Sequence, residues 1–228
     1  MIDDVGGGGK IVSMAGHMNN LNYAHINEMS AYWEGLRGGR LVPLRSDIDP
    51  RGIERTLEYA FVIERVAPQI ARFRLAGMHL SDLMGMEVRG LPISSLISMR
   101  SRTDFAEAME EVFTKPAAVE FRLVAETAIG KPDLQAKLNL LPLRSDLGDI
   151  SRALGCLVTE GAIGRAPRRF DVAEITRLPV EAGRPLRREV RAGLERAAAV
   201  AGMAEAAAPF RPAPRAASRA HLRLVKSD

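Results

Sequence analysis

Two runs of alternating apolar and polar residues, followed by a third apolar run, constrain this chain more than any other feature. Val119, Phe121, Leu123 and Ala125 alternate with Glu120, Arg122 and Glu126, and Leu134, Ala136, Leu138 and Leu140 alternate with Gln135, Lys137 and Asn139. Successive side chains of a strand point to opposite faces, so each run has one buried face and one wet face. Arg152 to Thr159 forms the next strand. Gly130, Pro132 and Asp133 supply the first turn and Ser145 to Asp149 the second, residue types that reverse the chain tightly between antiparallel neighbours.

Two more strands precede these. Tyr59 to Val66 and Gln69 to Ala76 are apolar or alternating runs separated by Pro68, and in the second Ala71, Phe73 and Leu75 alternate with Arg72 and Arg74. Between the two groups of strands lie helical pieces: Leu80, Leu83 and Met84 on one turn, a short piece from Pro92 to Ile97, and a helix over 103–114 with Phe105, Met109, Val112 and Phe113 on one face. Ser101 with Asp104 predicts a capping box at the start of that helix. Strands at both ends with helices between them predict an α+β domain with a five-stranded antiparallel sheet, not alternating βαβ units.

The flanks differ from this centre. Gly6 to Gly9 and the absence of apolar periodicity predict a disordered leader over 1–18, so that translation from Met14 is as consistent with the pattern as translation from Met1. Leu21, Ala24, Ile26, Met29, Tyr32, Trp33 and Leu36 predict an amphipathic helix capped by Asn19 or Asn20 and ended by Gly38-Gly39. Asp49 and Pro50 then open a second, shorter helix. The expected organisation is flanking helices over 19–58, a core domain over 59–164 and a tail over 165–228. The net charge of +4 belongs to that tail, where 14 Lys and Arg face 7 Asp and Glu. Its basic residues are interleaved with alanine and proline, with Phe170 and Phe210 as the only rings, so nucleic acid is not an expected partner. Alanine supplies 13 of the 29 residues from 192 to 220, which predicts a helix until Pro209, Pro212 and Pro214 end it. Beyond it, Leu222 and Leu224 flank Arg223, a spacing that predicts docking on a sheet or a partner.

The element order, with a helical connector before three meandering strands, resembles the PAS fold. Tyr32-Trp33, Leu36-Arg37-Gly38-Gly39-Arg40, Pro43 and Arg45-Ser46-Asp47-Ile48-Asp49-Pro50 resemble the leader of a family of bacterial stand-alone PAS-domain proteins. Arg72-Phe73-Arg74-Leu75-Ala76-Gly77, the Leu80 to Gly85 turn and Arg89-Gly90-Leu91-Pro92 are similar to that family's core. The resemblance implies a regulatory signalling protein with no catalytic residues to carry over. It also implies a helix that packs on the sheet or on its copy in a second subunit; an uncovered apolar patch of that size would be unusual for a monomer, so a homodimer is expected.

Chemistry has few carriers. His17, His25, His79 and His221 show no metal-ligand spacing, and the single cysteine, Cys156, gives neither a disulfide nor a thiolate metal site. Haem-binding PAS domains place a histidine on the long helix, and flavin-binding ones place a cysteine motif ahead of it; this chain has neither, so no cofactor is expected. Asp47 with Asp49 and Asp146 with Asp149 sit where a cap or a turn already needs an aspartate. No enzyme is expected.

Two surfaces are candidate sites. Met84 and Met109 with Phe73, Phe121 and Leu138 are the candidates for lining an apolar pocket under the connector, the basis of an alternative reading as a small-molecule sensor or carrier. Trp33 and Tyr32, adjacent on the leader helix, are candidate partner contacts together with Leu222 and Leu224. The expected partners are signalling proteins, histidine kinases or other regulators. No apolar run approaches the roughly 20 residues of a membrane span, and the N-terminus lacks a secretory layout, so a cytoplasmic location is expected.

Overall fold

The computed structural model describes the backbone of residues 15–186 and the side chains of residues 24–186. Six strands form one antiparallel sheet: β1 (Ala60–Ala67), β2 (Ile70–Ala76), β3 (Ala117–Ala125), β4 (Gln135–Leu143), β5 (Arg152–Glu160) and β6 (Phe170–Pro179), in the order β2-β1-β5-β4-β3-β6. Helix α1 (Ala15–Arg37) precedes the sheet, and α2 (Met78–Met84), two short 3-10 turns and α3 (Arg102–Thr114) connect β2 to β3. The α+β class and the first five strands agree with the alternation of the sequence.

The sixth strand corrects the expected boundary at residue 165. It is invisible to a period of two because a bulge interrupts its pairing with β3. Phe170 and Val172 pair with Ala125 and Leu123 toward the interior; the register then shifts, and Ile175 pairs with Phe121. The shift moves every later side chain by one position. As an edge strand β6 is also mostly half-exposed, so its polar residues dilute the pattern. Helix α1 already includes Ala15, the first described residue, so neither Asn19 nor Asn20 is its cap. The Gly-rich leader, the alanine-rich helix and Leu222 and Leu224 lie outside the described residues.

The sheet separates two apolar layers. On the inner face, α2, α3 and the short turns cover Phe61, Ile63, Phe73, Val119, Phe121 and Leu138. On the outer face, Ile26, Met29 and Trp33 of α1, at the three and four spacing of one helical face, pack with Val62, Leu141, Leu154 and Cys156. A buried polar chain pins α1 across this layer. Asn139 accepts from the Cys156 amide at 2.9 Å and donates to Ser30 Oγ at 3.2 Å, and Ser30 donates to the Ile26 carbonyl at 2.9 Å. Each polar group has a partner, so the chain costs little to bury and fixes one register for the helix.

The segment from Gly38 to Pro50 is an interlocked piece. Arg40 pairs with Asp47 at 2.6 Å, and Asp47 also accepts from the Leu44 amide at 3.0 Å. Asp49 caps the turn Pro50–Thr56 by accepting from the Arg51 amide. Tyr32 Oη accepts from the Asp49 amide at 2.8 Å and donates to its carbonyl at 3.0 Å. The motif that reads as a family leader is therefore a structural latch between α1 and the sheet.

Candidate functional site

The five candidate pocket residues do come together. Phe73, Met84, Met109, Phe121 and Leu138 belong to one buried cluster between sheet and helices, and Met84, the most exposed of them, keeps only 8% of its surface. They pack with further rings: Phe105 and Phe121 lie 4.8 Å apart between centroids, and Phe61 meets Phe73 edge to face at 5.4 Å. Ring pairs at these distances fill volume and add attraction of their own. The space where a ligand would sit under the connector is occupied by side chains.

The candidate partner contacts separate. Trp33 is fully buried, and its Nε1 donates to the Pro142 carbonyl at 2.8 Å, so it faces the chain's own sheet and not a partner. That corrects the expectation for Trp33. Tyr32, half-buried beside it, is engaged by Asp49 as described above. The exposed large apolar residues on the β1–β2 hairpin are instead Val66 and Ile70 at its tip and Leu75 near its end.

The titratable candidates each have a structural occupation. His79 Nε2 lies 3.1 Å from Thr159 Oγ1, and Tyr59 stands between His79 and His25 at 5.0 and 4.7 Å. Burial holds the His79 imidazole below its ordinary pKa, against a smaller upward pull from Glu58 and Asp82. Asp149 is held low by the Ser145 hydroxyl, which donates to it, and Asp47 by the Leu44 amide and by Arg40. Cys156 is buried, and desolvation pushes its thiol far above the range of a nucleophile. Among the described residues no three histidine, cysteine or acidic side chains stand close enough to hold a metal ion, and no helix is long and apolar enough to cross a membrane.

Three polar devices escape sequence reasoning. Ser101 makes no cap with its side chain; its Oγ accepts from the Val172 amide at 3.1 Å and so serves β6 rather than α3. Beside it Asp171 accepts from Arg100 and, more weakly, from Ser98, which hold its carboxyl below the usual range. Arg168 is fully buried without an acidic partner among the described residues, and its guanidinium donates to the carbonyls of Pro132 at 2.7 Å, Glu126 at 3.3 Å and Ile163. It ties the β3–β4 turn to the β5–β6 connection. Arg37 is buried under the segment that follows β6, donating to Glu34 at 2.8 Å, to the Glu181 carbonyl at 3.1 Å and to the Arg184 carbonyl. Neither arginine carries a sequence signal that separates it from the many solvated ones around it.

Comparison with known proteins places this geometry. A family model described as a PAS domain matches residues 22–158. Among solved structures, the chain is similar to the light-state structure of the LOV domain of the blue-light photoreceptor Aureochrome1, at 12% identity and a TM-score of 0.34, covering 49% of this chain and 88% of that one. It is also similar to an RNA-binding Light-Oxygen-Voltage receptor, at 16% identity and a TM-score of 0.35, covering 70% of this chain and 39% of that one. No curated protein matches the chain.

Proposed function

Because this chain belongs to the PAS domain family, a family of sensory and signalling domains, we propose that it is a non-enzymatic regulator in bacterial signal transduction that works through protein contacts. The observation that carries this reading is the filled interior, in which Phe73, Met84, Met109, Phe121 and Leu138 occupy the volume under the connector. A domain with that volume filled has its surfaces left to act with. Val66 and Ile70, each about 45% exposed at the tip of the β1–β2 hairpin, are the apolar residues such a contact would cover. Signalling proteins, histidine kinases or other regulators, are the partners, and a homodimer is the assembly.

Crosslinking in the native cytoplasm with identification of the captured proteins tests the reading. A histidine kinase or another regulator should be recovered with the intact chain and lost with the double variant Val66→Asp, Ile70→Asp. Recovery of no signalling protein by the intact chain would sink it. A small molecule retained in the interior through gentle purification, detected by native mass spectrometry, would favour the sensor reading instead.

A further inference from the structure

The outer face of the sheet is incompletely covered. Helix α1 crosses β5 and β4, and toward the β2 edge a cavity of about 320 Å³ opens over β1, β2 and β5. Its walls are apolar: Ile48 comes from the latch segment, Ile53 from the Pro50–Thr56 turn, Leu57 follows that turn, Val62 and Leu75 are paired across β1 and β2, and Leu154 comes from β5. Leu57 and Leu75 are each nearly half exposed there.

One lining residue carries charge, Arg45. Its backbone is fixed, with the amide donating to the Arg144 carbonyl at 2.8 Å. Its guanidinium makes no hydrogen bond or ion pair with any described residue. The carboxylate nearest in sequence, Asp47, is already committed to Arg40 and to the Leu44 amide. A volume at the lower end of the small-molecule range, an apolar wall and one cation without a partner among the described residues are the parts of a receptor for an apolar anion.

We propose that this cavity binds a medium-chain carboxylate, with the alkyl chain against Leu57, Val62 and Leu75 and the carboxylate on Arg45. The site lies on the opposite face of the sheet from the filled interior, so it stands independently of the protein-contact reading. Bound there, the ligand would bridge the latch segment to the β1–β2 hairpin.

Titration calorimetry of the full chain with decanoate tests the site, with decanol as a probe of the same chain length and no charge. Decanoate should bind and raise the melting temperature. Arg45→Gln should weaken decanoate about tenfold and leave decanol unchanged, whereas Leu75→Asp should abolish both. Since Leu75 is half exposed and the Arg45 side chain bonds no described residue, both variants should keep the melting temperature of the unliganded protein. Absence of decanoate binding, or equal binding by wild type and Arg45→Gln, overturns the proposal. Binding that appears only after Leu222 and Leu224 are both replaced by serine overturns it as well, because the chain's own end would then fill the cavity.

Discussion

The Gln69 amide donates to Glu110 at 2.9 Å, and Gln69 is the one non-glycine residue with positive φ among the described residues, at 61°. The hairpin between β1 and β2 thus turns through a left-handed residue held from outside by α3, since the same carboxylate also accepts from Arg65. Left-handed backbone is costly for a residue with a Cβ. Replacing Glu110 by alanine should therefore cost about 2 kcal/mol in a urea melt. Gln69→Gly should leave stability within about 1 kcal/mol of wild type. Equal stability of Glu110→Ala and wild type would show that the turn needs no support.

The same carboxylate predicts an acid response. The Arg65 hydrogen bond, with help from the Gln69 amide, lowers the Glu110 pKa in the folded state. A depressed carboxyl contributes stability that is complete above its unfolded value of about 4.3 and is lost as pH falls through the folded value. The melting temperature should decline below about pH 4.3, and the decline should be shallower in Glu110→Gln.

His79 acts in a higher window. Its folded pKa is lowered by burial, so the unfolded chain takes up the proton first as pH falls below about 6.5. Stability from the neutral ring is therefore present above that value and is lost on acidification. His79→Gln should flatten the dependence of melting temperature between about pH 6.5 and 5, and an unchanged slope would contradict the assignment.

Arg37→Leu should be among the most damaging substitutions in the chain. It removes the guanidinium that donates to the Glu181 and Arg184 carbonyls and leaves Glu34 nearly buried without its cation. A loss of about 3 kcal/mol is expected, with early proteolysis between Val180 and Leu186. Melts and limited digestion on the same sample check both.

Gly155→Ala tests packing at the centre of the sheet. A Cβ there would lie 2.2 Å from the Phe61 ring, which is locked edge to face against Phe73. The ring is buried on every side, so the variant should lose about 2–3 kcal/mol or more, and far more than Gly35→Ala, whose site is open and helical.

The parts of this fold legible in sequence are those whose burial follows one regular period. β3 shows it because α3 covers its inner side and Glu120 and Arg122 lie on the other, whereas β4 keeps it only as far as Leu138, since α1 covers its outer face and buries Asn139 too. Trp33 was legible as apolar but not as inward, since adjacent Tyr32 and Trp33 look alike until Pro142 supplies an acceptor for one and Asp49 for the other. β6 stayed hidden behind its bulge. Arg37 and Arg168 stayed hidden for another reason: what satisfies them is a set of main-chain carbonyls, and carbonyls have no letter in a sequence. The candidate pocket residues fall in one buried cluster, yet whether such a group encloses space or fills it depends on ring placement that periodicity does not encode.

The Arg37 clasp has a topological consequence. The Gly183 amide donates to the Gly39 carbonyl at 3.1 Å next to it, so the segment after β6 lies beside the place where α1 ends. Every strand lies on a loop closed at that one knot, with β2 and β6 as its far shores. A force applied to the residues after Leu186 is therefore delivered to α1 before it reaches any strand. The protein is built like a purse with a single drawstring: whatever tugs at its trailing end first loosens or tightens the helix that covers the outer face.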